Sequence, residues 1–352
     1  MTTTNELNAI FFGNGTASHC WRIDGTADRV NKYTPDSIYV TTWQKWNKNL
    51  AGANLVILEM LASPDIVKTC HERGAKVIWE ADDAMIDSYG DERKNLQKLN
   101  TTHRQTTIDV LKEVDALTVT NQKLKDNYAR FTDKPIYIIP NYVDFDWYGK
   151  DKLTYKRVTD EIRIGWFGSQ GHLEDLKMVV PALKEVLETY PNVKLVYCGF
   201  GGMSSDKKIT EIGWGEDVFK ELPRDRREFY VGVREDYWPM KHRTLDLDIG
   251  ICPLIEDEFN WNKTPIKWIE FGITEVPTVC SPTLYGPVVQ DGEDALIAHN
   301  TKEWVEKLSL LVRDVEKRKR VGKKAHERVL ADFDLENHWK DQHELYRLVA
   351  LG

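Results

Sequence analysis

This sequence of 352 residues has no long apolar run, few cysteines and no excess of positive charge. No apolar run approaches the ~20 residues that span a bilayer, and the N-terminus lacks the basic and apolar regions of a secretory signal. The five cysteines are scattered and form no CxxC pair, which favours reduced thiols in a cytoplasmic protein over a disulfide framework or a zinc site. The net charge of −8 shows no large basic footprint for nucleic acid.

What remains is the composition of an ordinary soluble protein, with 41% hydrophobic and 30% charged residues. A chain of 352 residues is long for one hydrophobic core and suits two domains. The densest basic cluster has six Lys and Arg within residues 317–324. It is either the solvated face of a helix or a contact for anionic lipid or nucleic acid.

Short apolar runs, rich in β-branched and aromatic residues, alternate with helical patterns along the chain. They predict strands at 8–12, 37–41, 54–59, 76–80, 116–120, 135–139, 162–167, 194–198, 228–233, 247–253, 278–281 and 295–298. Such alternation indicates parallel βαβ units. We therefore predict an α/β fold with two doubly wound Rossmann-like domains, residues 1–150 and 162–330, joined by a polar linker at 151–161. Ligands bind beyond the carboxyl ends of such strands, so we expect a cleft between the domains.

Residues 247–281 are the most informative stretch, because a strand, a polar loop, an amphipathic helix and a second strand follow one another. Asn262, Lys263 and Thr264 lie where the helix should begin, with Pro265 in its first turn. A helix N-terminus attracts phosphate or a sugar hydroxyl.

The charged side chains of this helix have helical spacing. Lys263 and Lys267 are four residues apart, and Lys267 and Glu270 are three apart, so the three side chains are predicted to share one face. Two cations beside one acid suit a nucleotide sugar.

This segment resembles the donor-binding signature of retaining "group 1" glycosyltransferases with the GT-B fold, in which two Glu lie eight positions apart. The second Glu falls on Glu270, for which the resemblance implies contact with the donor ribose. The first falls on Asn262, a departure that leaves the sugar open. The resemblance also implies that residues 331–352 form a helix that crosses back onto the first domain.

A glycine-containing turn ends the strand at 162–167 and matches the same family. Gly168, Ser169, His172 and Asp175 fit its Gly-Ser-x-x-His-x-x-Asp pattern. Glycines let backbone N–H groups approach an anion. His172 is then an oriented hydrogen-bonding residue near the donor, ahead of a role as a catalytic base. Arg234, which follows another strand, is either a phosphate contact or an exposed side chain.

The first domain supplies the acceptor-side candidates. Gly13 and Gly15 follow the first strand in a GxG turn, with Arg22 soon after. Asp82 and Asp83 follow the strand at 76–80 and have three possible roles. They could bind a metal, cap the next helix, or, for Asp82, contact the acceptor or act as its base, with a pKa raised by neighbouring carboxylates.

We therefore predict a retaining glycosyltransferase that moves a sugar from a UDP- or GDP-sugar to an acceptor hydroxyl. Helix N-termini and lysines would neutralise the leaving diphosphate, so no metal or other cofactor is expected. The default acceptor is a glycan, and a hydroxylated base in DNA is the alternative. A non-catalytic nucleotide-sugar-binding protein is the alternative of another class.

Overall fold

The computed structural model describes residues 6–13, 18–46, 50, 52–60, 63–86, 94–149, 158–199 and 214–352, without the side chains of 94–103, 170 and 214–216. The chain divides into two compact units. The first unit is Met1–Trp147, Asp257–Thr264 and Asp334–Gly352, and the second is Tyr148–Glu256 and Pro265–Phe333. Of the linker predicted at 151–161, residues 151–157 lie outside the described residues.

Each unit is built on a six-stranded parallel sheet. The strands of the first are β1 (Asn8–Gly13), β2 (Ser37–Thr42), β3 (Leu55–Glu59), β4 (Lys76–Ala81), β5 (Ala116–Val119) and β6 (Ile136–Ile138). Those of the second are β7 (Ile162–Phe167), β8 (Val193–Gly199), β9 (Arg227–Val231), β10 (Ile249–Cys252), β11 (Thr278–Cys280) and β12 (Leu296–Ile297). The sheet orders are β2-β1-β3-β4-β5-β6 and β12-β11-β10-β7-β8-β9, so the predicted pair of doubly wound domains is confirmed.

Helices connect the strands. In chain order they are α1 (Gly25–Tyr33), α2 (Pro64–Glu72), α3 (Lys94–Glu113), α4 (Gln122–Tyr128), α5 (Phe145–Tyr148), α6 (Leu173–Thr189), α7 (Trp214–Phe219), α8 (Trp238–Thr244), α9 (Glu258–Trp261), α10 (Ile266–Ile273), α11 (Thr301–Arg313), α12 (Val315–Asp332) and α13 (Trp339–Leu351). A π-helical turn, Cys20–Asp24, precedes α1. Within the described residues, no helix is both long and apolar enough to cross a bilayer.

Both faces of the first sheet are buried. Burial on both faces requires apolar side chains along each strand, which is why the strands appear in the sequence as continuous apolar runs. The C-terminal segment completes one of these faces, since Leu335, Trp339 and Tyr346 pack in the same cluster as Phe11 and Ile57. The predicted return of the terminal helix to the first domain is therefore confirmed. Asp36 fixes this return by accepting hydrogen bonds from His343 and Arg347, which both belong to α13.

The structure differs from the predicted boundaries at Asp257–Thr264, which belongs to the first unit. The reason is a set of hydrogen bonds: Asn121, the N-cap of α4, donates to the carbonyls of Asn262 (3.2 Å) and Lys263 (3.0 Å), and Asn141 donates to Thr264 Oγ1 (3.0 Å).

The five cysteines are all buried and form no disulfide. The basic run at 317–324 lies on α12. Its exposed lysines 319, 323 and 324 pair with Glu316 or Glu327 on the same helix, which is the geometry of a solvated helix face.

Candidate functional site

The N-terminus of α6 holds a chain of three polar side chains in the second unit. His172, the N-cap, has Nδ1 2.8 Å from Asp175 Oδ2 and Nε2 3.1 Å from Lys267 Nζ. A carboxylate only accepts and an ammonium only donates, so His172 carries its proton on Nδ1 and accepts from Lys267 at Nε2. Asp175 is itself fixed by the backbone N–H of Ile255 at 3.0 Å. The arrangement orients His172 and places an ammonium at the start of α6.

Gly168 allows the chain to pass close to this group. Its φ of +155° suits glycine, and a Cβ there would lie 2.9 Å from the ring of Trp166 and 3.4 Å from Lys267 Cε. Lys267 Nζ also lies 5.8 Å from the centre of the Trp166 ring. The side chain of Ser169 is exposed, while its carbonyl accepts from the His172 N–H at 3.3 Å.

Glu270 is buried on α10 with only 5% exposure. Its Oε1 accepts a hydrogen bond from the indole N–H of Trp238. Burial raises the pKa of Glu270 to about 7, although the Trp238 bond and the charge of Lys267 each lower it. The carboxyl group is therefore divided between its two forms near neutral pH.

Trp238 is a site residue that the sequence patterns do not single out. It begins α8 and stacks on His242, with ring centroids 5.5 Å apart and an interplanar angle of 15°. His242 Nδ1 lies 2.7 Å from the hydroxyl of Tyr148. Burial, helped by Arg243, lowers the pKa of His242 to about 3, so this ring is neutral at pH 7. The available signal was the Trp238-Pro239 pair, because proline marks the first turn of a helix.

Arg234 follows β9 and is 73% exposed. It pairs with Asp236 at 2.6 Å and lies over the ring of Tyr237 at 5.8 Å. The guanidinium thus has local partners on its own loop, which is one of the two alternatives that its sequence position left open.

The prediction that Lys263, Lys267 and Glu270 share one helix face is wrong for Lys263. Helix α10 begins at Ile266, with Pro265 as its N-cap rather than in its first turn, so Lys263 precedes the helix. Its ammonium lies 3.3 Å from Asp83 Oδ1 and 4.1 Å from the centre of the Phe259 ring.

Asn262 also precedes α10, as the C-cap of α9. Its Nδ2 donates to the Glu258 carbonyl at 2.6 Å, whereas Oδ1 is buried with no hydrogen-bond partner among the described residues. Thr264 accepts from Asn141. The residue in the place of the family's first Glu is therefore an amide with one unused acceptor.

Acidic side chains gather where β3 and β4 end in the first unit. Glu59 and Glu80 are directly paired in register, and Asp82 and Asp83 follow β4. Burial, then repulsion from Asp83 and Glu59, raises the pKa of Asp82 to about 7. Arg22 opposes this rise, but less strongly.

Arg22 is an internal partner of this cluster rather than an exposed contact. It is 2% exposed and donates from Nε to Glu80 at 2.6 Å and from Nη1 to Asn141 at 2.9 Å. Gly13 ends β1 beside the same acids, since a Cβ there would lie 3.1 Å from Glu59 Oε2. Gly15 lies outside the described residues.

Among the described residues, one group has a geometry that could hold a metal ion, and it is not the acidic cluster. It consists of His19, Cys20 and Asp24, whose ligand atoms lie within 4.8 Å of one another. His19 Nδ1 and Asp24 Oδ2 are 2.8 Å apart, and this hydrogen bond is the main cause that raises the pKa of His19 to about 10. The contact between His19 and Asp24 is therefore an ion pair.

No protein-family model and no curated protein sequence matches this chain. Solved structures do. HepE of Anabaena, in complex with UDP and glucose, has a TM-score of 0.66 at 12% identity over 96% of this chain and 98% of that chain. Sucrose-phosphate synthase of Thermosynechococcus elongatus has a TM-score of 0.66 at 11% identity over 98% and 99%. The chain has the GT-B fold.

TarM shares this GT-B fold at lower coverage. Its TM-score is 0.59 at 16% identity over 83% of this chain, which spans only 54% of TarM. The likeness to glycosyltransferases of group 1 is therefore confirmed for the fold. At these identities, the likeness shows the fold alone.

Proposed function

We propose that this protein is a retaining glycosyltransferase that transfers a sugar from a UDP- or GDP-sugar to a hydroxyl of a glycan. The observation that carries the proposal is the hydrogen-bonded chain of Lys267, His172 and Asp175 at the start of α6, with the buried Glu270 three residues after Lys267. Support also comes from the GT-B relatives: HepE was crystallised with UDP-glucose, and TarM with UDP and α-GlcNAc-glycerol.

The leaving diphosphate would be stabilised by Lys267 and by the N-terminus of α6. Helix α6 has 17 residues, and its dipole gives its N-terminus a partial positive charge that would favour an anion. Fixed positive charge at the leaving group stabilises the charge that develops as the glycosidic bond breaks. On this basis we propose that the reaction needs no metal.

Glu270 would accept hydrogen bonds from the two ribose hydroxyls, with Trp238 holding the carboxyl group in place. Asn262, in the place of the family's first Glu, is the candidate for contact with the transferred sugar, and Lys263 and Thr264 are further candidates for contact with the donor. Retention would proceed on one face of the sugar without a protein nucleophile.

Asp82 would accept the proton of the acceptor hydroxyl, because a carboxyl group with a pKa near 7 is well matched to that task at neutral pH. The leaving phosphate is the competing proton acceptor. Asp83 would help, since its charge contributes to the raised pKa of Asp82.

The test begins with a thermal-shift screen of UDP- and GDP-sugars, with Glu270→Ala as the site variant and the exposed Glu306→Ala as the matched control. We expect one donor to stabilise the wild type and the control but not Glu270→Ala. The best donor, carrying a ¹³C-labelled sugar, is then offered to glycans and to hydroxymethylated DNA, and products are detected by mass spectrometry.

The results separate the alternatives. A labelled glycan whose anomeric configuration matches the donor supports the proposal. A labelled DNA base would mean that the acceptor is DNA and not a glycan. Donor binding with neither transfer nor slow hydrolysis would instead identify a non-catalytic binding protein. Transfer that is lost on chelation and restored by a divalent cation would overturn metal independence.

A further inference from the structure

The segment before α1 contains the π-helical turn Cys20–Asp24, with His19 as its N-cap. A π-helix is closed by i→i+5 hydrogen bonds, so side chains five residues apart lie near one another on its surface. In an α-helix, the same two positions would point about 140° apart. The wider turn therefore brings His19 and Asp24 together, with Nδ1 2.8 Å from Oδ2. Such turns are rare and occur frequently at functional sites, which makes this one a candidate for ligand binding.

Cys20 adds a third ligand atom to this pair. Its Sγ lies 3.9 Å from His19 Nδ1, and the ligand atoms of His19, Cys20 and Asp24 all lie within 4.8 Å of one another. In a tetrahedral zinc site, bonds of ~2.0–2.3 Å put the ligand atoms about 3.3–3.6 Å apart. The contact between His19 and Asp24 would have to open, and that between His19 and Cys20 to close, by about half an ångström or less. Small side-chain rotations are enough for both changes.

The three ligand types select the ion. Calcium and magnesium are bound by oxygen atoms, whereas thiolate and imidazole are ligands of zinc. A neutral imidazole, a thiolate and a carboxylate together carry two negative charges, which Zn²⁺ would balance. Binding would release the proton between His19 and Asp24 and the proton of the Cys20 thiol, because each ligand binds metal in its deprotonated form.

An ion can reach these ligands from solvent. The side chains of His19 and Asp24 are 26% and 38% exposed, whereas Cys20 is almost buried. Three protein ligands at an exposed edge leave the fourth position of a tetrahedral ion to water, as in zinc sites with an open position.

We propose that His19, Cys20 and Asp24 bind one zinc ion in the first unit. The spacing of these ligands matches none of the usual zinc motifs, because it depends on the π-helical turn. The ion is structural, and no step of the proposed sugar transfer is routed through it.

The same segment carries two contacts to the acidic cluster that surrounds Asp82. Ser18 donates to Glu59, and Arg22 donates to Glu80 at 2.6 Å. An ion bound at the turn would stabilise the segment that makes these contacts. Chelation should therefore lower the melting temperature, while the transfer rate well below that temperature should stay unchanged.

The test uses Co²⁺ as the probe, because a cobalt–thiolate bond absorbs light and a zinc–thiolate bond is silent in the same region. The full-length protein is freed of metal by chelation and dialysis and is then titrated. We expect a charge-transfer band that saturates at one ion per chain and disappears when Zn²⁺ is added. Cys20→Ser should abolish the band, and His19→Gln and Asp24→Asn should each weaken zinc binding about tenfold or more. The matched controls are Cys198→Ser, which keeps a donor for the Val231 carbonyl, and the exposed Asp28→Asn on α1.

Thermal melting separates ligand loss from misfolding. With chelator present, the wild type and Cys20→Ser should melt at similar temperatures, and Zn²⁺ should raise the melting temperature of the wild type alone by a few degrees. His19→Gln, at a partly exposed position, serves the same purpose if Cys20→Ser does not fold. A wild type without the charge-transfer band, or an equal band in Cys20→Ser, would overturn the proposal. None of these measurements needs a sugar donor, so their outcome is independent of the proposed function.

Discussion

Asp82 in the first unit and Glu270 in the second have pKa values raised to about 7, but their neighbours differ. Asp82 has other acids around it, so repulsion adds to burial. Glu270 has burial alone, opposed by the indole N–H of Trp238 and the charge of Lys267. An acid among acids is suited to take up a proton, whereas an acid with donors beside it is suited to accept hydrogen bonds. The same pKa therefore accompanies two different proposed roles.

The largest expected effect is a loss of catalytic rate when Asp82 is replaced, which distinguishes this carboxyl group from that of Glu270. Asp82→Asn should lower kcat by about 10²–10⁴-fold, the usual contribution of a general base, while leaving the affinity for UDP unchanged. In the wild type, kcat/KM should rise with pH through an apparent pKa near 7. Steady-state kinetics across pH 5.5–8.5 would measure both.

Asp83→Asn is the matched control for this variant. It removes a neighbouring charge but not the proposed base, so activity should persist with the apparent pKa shifted downward. Full activity of Asp82→Asn would assign the proton to the leaving phosphate instead.

Glu270→Gln should show the opposite pattern. Hydrogen bonds to a charged group contribute about 1.5–3 kcal/mol, so the affinity for UDP should fall by roughly 10–150-fold. Isothermal titration calorimetry with UDP would measure this, with Glu306→Gln as an exposed control. An affinity within twofold of the wild type would exclude Glu270 as the ribose contact.

The two raised pKa values also predict how stability depends on pH. The folded state holds the Asp82 proton up to about pH 7, whereas the unfolded chain loses it near 3.8, so the free energy of unfolding falls as pH rises between these values. Asp82→Asn removes this loss. Relative to the wild type, the variant should gain on the order of 1 kcal/mol or more between pH 4.5 and 8.

Urea denaturation at several pH values would measure this gain. Glu270→Gln should change in the same direction, because its pKa is raised as well. A constant difference from the wild type across the range would mean that neither proton is retained in the folded state.

Trp238→Phe is expected to have the smallest effect. The indole N–H lowers the pKa of Glu270, so its removal should raise that pKa. The pH midpoint of UDP binding should then move upward, and the affinity at pH 7 should fall several-fold, as for one neutral hydrogen bond. Titrations from pH 5.5 to 8.5 would test this. Tighter binding with an unchanged midpoint would mean that the indole competes with the ribose.

Most of the fold could be predicted from the sequence, because parallel strands buried on both faces read as continuous apolar runs between helical patterns. The amphipathic pattern of residues 335–351 predicts the terminal helix, whereas its return to the first domain is implied only by the family resemblance. The proximity of His172, Asp175 and Lys267 was harder to foresee. The glycine turn and the helix placed His172 and Asp175 together, but the contact with Lys267 depends on tertiary packing.

The sequence-based predictions that failed concern residues whose side-chain partners lie in distant segments of the chain. Lys263 has helical spacing to Lys267, yet the segment before Pro265 is held by Asn121 and Asp83, which lie more than a hundred residues earlier in the chain. Trp238 could not be predicted as a site residue, because its hydrogen bond to the buried Glu270 depends on tertiary packing. The position of Arg22 after the GxG turn suggests a ligand contact, whereas in the structure Arg22 forms an ion pair with Glu80 of β4.

The contribution of α13 to the first core has a consequence for biosynthesis. Most of the first unit has been translated by Trp147, yet Trp339 and Tyr346, which cover Phe11 and Ile57, follow about two hundred residues later. At ~5–20 residues per second, that interval is on the order of ten seconds or more. During it, α1 covers only part of one apolar face of the first sheet and the part that α13 covers is open, whereas the second unit can fold as soon as Phe333 is made. The nascent protein is therefore expected to depend on chaperones at its N-terminal half, and loss of α13 should cause aggregation before it affects catalysis.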